Sequence, residues 1–165
     1  MMKIQLGGLS EGTHNLRFAL PAAEAGLDAR FQGEVAVLAE LQKRGQEHLL
    51  RATVQVAGTF VCDRCLEEVR LPLSTSYVMY YLIEKGAHAG IDPSEVQILP
   101  PGETVVDITD DVRQTVLLGI PQKLVCREDC LGLCPSCGAN RNTAPCTCAD
   151  AAVDPRWERL KGMRG

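Results

Sequence analysis

Eight cysteines constrain this 165-residue chain more than any other feature. Six of them crowd into Val125–Cys148, VCREDCLGLCPSCGANRNTAPCTC, and the other two stand as a pair in Thr59–Leu66, TFVCDRCL. Such a concentration is a disulfide framework, a redox site or a set of metal ligands, and the compartment decides between them. The N-terminus, MMKIQLGGLSEGTHNL, has one lysine and then glycine and polar residues, unlike the apolar run of about 7–15 residues in a signal peptide. No stretch approaches the roughly 18 consecutive apolar residues of a membrane span. A cytoplasmic setting is therefore expected, where thiols stay reduced and a cysteine cluster holds metal. A chain of this length also buries a core without needing disulfides to fold.

The cysteines fall into close pairs. Cys134-Pro-Ser-Cys137 is followed by Gly138. Two intervening residues let both sulfurs reach one ion at about 2.3 Å, and a glycine just after the pair can take the positive φ that tightens such a turn. Cys146 and Cys148 supply another pair after the loop GANRNTAP; Cys62 and Cys65 repeat the two-residue spacing, and Cys126 and Cys130 are separated by three residues. The preferred grouping places Cys134, Cys137, Cys146 and Cys148 on one Zn²⁺, and Cys62, Cys65, Cys126 and Cys130 on a second. A rival grouping, with Cys126, Cys130, Cys134 and Cys137 on one ion and Cys62, Cys65, Cys146 and Cys148 on the other, stays open on spacing alone. Eight thiolates make two closed shells, whereas a catalytic zinc keeps an open position and usually includes histidine or a carboxylate. Both sites read as structural. Iron–sulfur ligation is the competing metal chemistry, since thiolates alone do not separate it from zinc. A redox Cys62–Cys65 would want a helix N-terminus to lower its pKa, and this pair follows a β pattern instead.

The rest of the chain reads as α+β: an antiparallel β meander, one amphipathic helix and a C-terminal cysteine-rich zinc-binding segment. Up to about Gly33, LRFALPAAEAGL suggests a strand followed by an alanine-rich turn. From Glu34, Val35, Val37, Val54 and Val56 alternate with period two around a polar turn at Lys43–Glu47, and EEVRLPLSTSYVMYYLIE continues with β-branched and aromatic residues. About four strands result, with Cys62–Cys65 at a hairpin tip. Gly86–Gly102 is a proline- and glycine-rich loop with a short strand at Val96–Leu99. Ile108, Val112, Val116 and Ile120 then recur every four residues, with Asp107 or Thr109 to cap the helix and Pro121 to stop it. QKLVC reads as a short strand entering the cluster. In DPRWERLKGMRG, Asp154 can cap a terminal helix, Pro155 suits its first position, and Trp157 and Leu160 share a face. The organisation is a β-rich domain with helix over 1–120 and a zinc-binding tail packed on it over 121–165, as one structural unit.

Net charge is −4, and about −8 once eight thiolates hold two zinc ions. Such a chain is no general polyanion binder, so contact with nucleic acid must come from a local basic patch or through a protein. Arg141 and Asn142, between two cysteine pairs, and Arg156 and Trp157, in the basic terminal segment, are the candidates for RNA or partner contact. His14, His48 and His88 read as solvated surface histidines, and Asp110 and Asp111 as acidic residues favoured in the first turn of a helix.

CDRCLE, VDITDDVRQTVLLGIP, CREDCLGLCPSCGANRN and DPRWERL together resemble the YceD family, named for large ribosomal RNA subunit accumulation. The resemblance runs from about Thr59 to Leu160 and is most specific over Pro121–Cys137 and Asp154–Leu160. It implies a bacterial protein associated with 23S ribosomal RNA accumulation and large-subunit assembly. No convergent acid, base and nucleophile stand in the sequence, so the expected role is a non-enzymatic factor with a large-subunit ribosomal protein or precursor 23S ribosomal RNA as partner. No membrane and no small-molecule substrate is implied. The alternatives are a zinc-dependent nucleic-acid-binding or transcription module, which would want a basic stripe the cluster lacks, and a thiol redox or metal-handling protein.

Overall fold

The computed structural model describes residues 1–82, 91–148 and 156. The chain divides into two compact units, one formed by Met1–Phe60 and Arg70–Gln122, the other by Val61–Val69 and Lys123–Gly165.

In the first unit, β1 (Lys3–Gln5) pairs antiparallel with β7 (Val105–Asp107). The larger sheet orders β2 (Gly12–Pro21), β3 (Phe31–Arg44), β4 (Glu47–Val61), β5 (Glu68–Leu82) and β6 (Val96–Ile98) as consecutive neighbours. The period-two pattern explains the central pair. Val37 faces Val54, Ala39 faces Ala52 and Leu41 faces Leu50, and all six are buried. Between them Glu40 faces Arg51 on the opposite, open side, as strand geometry requires. Gly45, at φ 55°, makes the turn expected at Lys43–Glu47. A register shift between Gln32 and Ala36 includes Gly33 at φ 85°, a bulge that the sequence pattern did not announce. Near the end of β4, Phe31 and Phe60 meet edge to face at 5.8 Å, and a Cβ at Gly58 would lie 2.6 Å from the Phe60 ring.

β6, over the expected Val96–Leu99 position, adds to β5 in parallel, with Tyr80 opposite Val96. The expected helix is α1 (Thr109–Leu118), which buries Val112 and Val116, with Ile108 buried just ahead of it. Ile108 occupies the cap position and has no side-chain acceptor; the Asp107 carboxylate instead accepts from the Thr109 amide at 3.0 Å and from its hydroxyl at 2.5 Å. The helix stops at Gly119, ahead of Pro121, where any Cβ would run into the Thr75 methyl of β5. Asp111 is half-buried beside Tyr81, and burial raises its carboxyl pKa. His48 corrects the surface reading of the histidines: it is 3 % exposed, and burial first, then nearby Lys43, lowers its pKa. His14 stays near solvent and bonds the Ser10 carbonyl at 2.8 Å. His88 and the terminal helix expected from Asp154, including Trp157, lie outside the described residues, Arg156 excepted. No described helix is long and apolar enough to cross a membrane.

Candidate metal centres

The second unit is built on two turns of one design. In the first, the Cys62 amide donates to the Glu67 carbonyl at 2.9 Å and the Leu66 amide to the Cys62 carbonyl at 2.9 Å. In the second, the Cys134 amide donates to the Ala139 carbonyl at 2.8 Å and the Gly138 amide to the Cys134 carbonyl at 2.9 Å. The residue after the second cysteine must turn left-handed in both. Gly138 does so at φ 74°, as its place after the pair suggested. Leu66 does so at φ 62°, a conformation that costs a side-chain-bearing residue about 1–2 kcal/mol. Leu66 is 63 % exposed, so a buried side chain is not what holds it there.

Each turn meets a second pair. Cys62, Cys65, Cys126 and Cys130 form one tetrad and Cys134, Cys137, Cys146 and Cys148 the other, with all sulfurs of a set within 4.8 Å of one another. The structure thus brings together the preferred groups and not the rival ones. Within the sets, the Cys65 and Cys126 sulfurs lie 3.6 Å apart, those of Cys62 and Cys130 3.9 Å and those of Cys137 and Cys146 3.5 Å. A disulfide needs about 2.05 Å. Four sulfurs around a tetrahedral zinc at about 2.3 Å would stand about 3.8 Å apart, the edge of that tetrahedron, so the spacing suits a shared ion.

The thiols titrate as crowded sets. Burial opposes ionisation of Cys62, but amide N–H groups of Cys65, Arg64 and Cys126 outweigh it and bring its pKa down to about 6. Amides of Cys137 and Ser136 bring Cys134 to about 6. Cys126, hydrogen-bonded to the Cys130 sulfur, is pushed up to about 12, and Cys148, hydrogen-bonded to the Cys146 and Cys137 sulfurs, also to about 12. Each tetrad therefore holds an early thiolate and a late thiol, and a cation is what allows all four to ionise together.

The inner tetrad, Cys62 to Cys130, is stitched from several sides. The Asp63 amide donates to the Leu124 carbonyl at 2.8 Å, and the Leu124 amide returns to the Asp63 carboxylate at 2.6 Å. This exchange occupies the segment read as a strand, QKLVC, which is irregular because it pairs with a turn rather than a ladder. Arg64 donates to the Cys130 carbonyl at 2.8 Å, while Val69 and Val125 pack against the buried Cys62, Cys65 and Cys130. Gly132, at φ 73°, leaves room for the Arg64 carbonyl, which a Cβ would approach to 3.0 Å.

Asn142 sits in the loop of the outer tetrad but serves the inner one. Its Nδ2 donates to the Cys130 sulfur at 3.4 Å, and its Oδ1 accepts from the Leu131 amide at 2.8 Å and from Arg127 Nη2 at 2.9 Å. Asn140 likewise reaches Glu67 Oε1 at 3.1 Å. Arg141 is exposed, and its amide donates to the Gly132 carbonyl at 3.0 Å. Arg156 is exposed as well. The supporting roles of Asp63, Arg64, Asn140 and Asn142 escaped the sequence reading. The one signal for them was the placement of polar residues inside the cysteine spacings.

Among known proteins, the family described as "Large ribosomal RNA subunit accumulation protein YceD" matches residues 50–164. An uncharacterised protein of Mycobacterium tuberculosis is 34 % identical over 121 residues, covering 71 % of this chain and 56 % of that protein. "Large ribosomal RNA subunit accumulation protein YCED homolog 1, chloroplastic" of Zea mays is 42 % identical over 65 residues, covering 39 % of this chain and 22 % of that protein. Its Arabidopsis thaliana namesake is 32 % identical over 74 residues, covering 45 % and 23 %. The match thus spans little more than half the length of the mycobacterial relative. No solved structure matches the chain.

Proposed function

The chain belongs to the YceD family, and on that premise we propose that it is a non-enzymatic bacterial factor, acting in the cytoplasm, for 23S ribosomal RNA accumulation and large-subunit assembly. The observation that carries this reading is the extent of the family match, residues 50–164, which takes in all eight cysteines. The named plant relatives lend it support.

Two Zn²⁺ ions are the proposed residents of the tetrads, held by Cys62, Cys65, Cys126 and Cys130, and by Cys134, Cys137, Cys146 and Cys148. Zinc would supply charge neutralisation and cross-linking. A filled four-sulfur shell leaves no open coordination position for a substrate, which favours a structural over a catalytic role. The chain's own residues do the rest: Asp63 and Arg64 hold the first turn against 124–130, and Asn140 and Asn142 hold the second loop against Glu67 and Cys130. What results is a stiff platform in a unit whose described residues are poor in regular structure.

The partner in direct contact is proposed to be a basic large-subunit ribosomal protein, with RNA reached through it. A net charge near −8 disfavours binding by counterion release and favours a cationic surface. The test is a native pull-down from lysate with and without RNase. Retention of a large-subunit protein after RNase, weakening as salt rises, is the expected result. Tight, salt-steep binding to isolated 23S ribosomal RNA fragments without any protein would overturn the choice of partner and return attention to Arg141 and Arg156.

A further inference from the structure

The two tetrads differ in what surrounds their sulfurs. In the inner set Cys62, Cys65 and Cys130 are 0–3 % exposed. In the outer set only Cys134 is buried; Cys137 and Cys148 are exposed and Cys146 is partly so. Cys137 and Cys146 bring their sulfurs to 3.5 Å from the two ends of one loop. Thr143, Ala144 and Pro145, which lead to Cys146, are themselves exposed. The inner set also has a close pair, Cys65 and Cys126 at 3.6 Å, but there only Cys126 meets solvent and Cys65 is enclosed with Val69 and Val125 against it.

Resting on the zinc reading above, we infer that the outer tetrad is a thiol-oxidation site, at which a peroxide joins Cys137 to Cys146 and expels the outer ion while the inner ion stays. The two thiolates give up two electrons to the O–O bond of the peroxide, which breaks. Two protons from solvent complete two waters when the oxidant is hydrogen peroxide, the S–S bond forms, and the ion leaves a site reduced to Cys134 and Cys148. Closing the pair from 3.5 Å to about 2.05 Å moves only an exposed stretch of loop. A dithiol reductant reverses the step by thiol–disulfide exchange and restores the ligands.

The geometry also limits the damage. Asn140 is tied to Glu67 and Asn142 to Cys130, both in the neighbourhood of the inner tetrad. Losing the outer ion therefore releases the end of the loop near Cys146 and not the contacts that steady Cys130.

The experiment uses the unaltered full chain loaded with zinc, so that no variant has to fold. The ions are counted, hydrogen peroxide is added, zinc release is followed with a metallochromic dye, and disulfides are mapped by peptide mass spectrometry. One ion is expected to leave at least about tenfold faster than the other, together with a Cys137–Cys146 linkage, and dithiothreitol with added zinc should restore the count. A starting count other than two defeats the zinc reading and this inference with it. Two ions lost at one rate, a Cys65–Cys126 linkage forming first, or no release at all overturns the inference alone. None of these outcomes bears on ribosomal association, which the pull-down measures separately.

Discussion

Replacing Asn142 by alanine is expected to weaken the inner centre specifically, although the residue lies in the loop of the outer one. Its Nδ2 donates to the Cys130 sulfur at 3.4 Å, and a hydrogen bond to a charged acceptor is worth about 1.5–3 kcal/mol. The site is only half-buried, so water recovers part of that, and the low end of the range applies. About 1.4 kcal/mol corresponds to a tenfold change in affinity, the lower bound for losing a residue that supports a metal ligand. Asn142→Asp should cost more, toward a hundredfold, because a carboxylate oxygen would then face the Cys130 thiolate where an N–H did. The assay is a chelator titration of the two-ion protein, reading the affinity of each site in order of release. In both variants the inner affinity should fall while the outer site, whose four sulfurs Asn142 does not touch, changes little. Unchanged metal affinity together with weaker capture of a ribosomal partner would refute the reasoning and make Asn142 a contact residue.

Gly119→Ala should destabilise the first unit by about 1–3 kcal/mol, since the added Cβ runs into Thr75, and an unchanged melting temperature would contradict that packing. Leu66→Gly relieves about 1–2 kcal/mol of left-handed strain, offset by about 0.5–1 kcal/mol of extra unfolded-state entropy, so denaturant unfolding should show a neutral to mildly stabilised protein. Gly138→Ala, at φ 74° in open space, should instead cost about 1 kcal/mol; equal effects at the two positions would argue against a shared turn design. His48 has a pKa lowered by burial, so the unfolded chain binds its proton first as pH falls through about 6.5, and stability should decline below that pH. His48→Gln should flatten this part of the pH profile, and an identical slope in the variant would remove His48 as its source.

Much of the fold was legible because its signals are local and periodic. The alternation at Val35, Val37, Val54 and Val56, the four-residue recurrence at Ile108, Val112 and Val116, and the polar turn before Glu47 each specify an element from neighbouring residues. Less legible were features set at long range. β6 joins β5 in parallel, a pairing that nothing within Val96–Ile98 encodes, and QKLVC gives up its strand because Asp63, far back in sequence, takes the Leu124 backbone. His48 looked solvent-bound beside polar neighbours, yet strand pairing puts it opposite Lys43 and out of water. At the candidate metal centres, spacing paired the cysteines but left two groupings open, which only the spatial meeting of Cys62 and Cys65 with Cys126 and Cys130 distinguishes. Asn142 shows the same limit from the other side. An asparagine between two cysteine pairs resembles a surface contact until its partner, Cys130, is known.

The central claim is that eight thiols form two separate four-sulfur zinc centres, and elemental analysis of the full chain purified without added metal tests it most directly. Close to two zinc ions per chain, with no iron, is the result expected from tetrads whose sulfurs all lie within 4.8 Å of one another. One ion per chain, or iron accompanied by acid-labile sulfide, would contradict it.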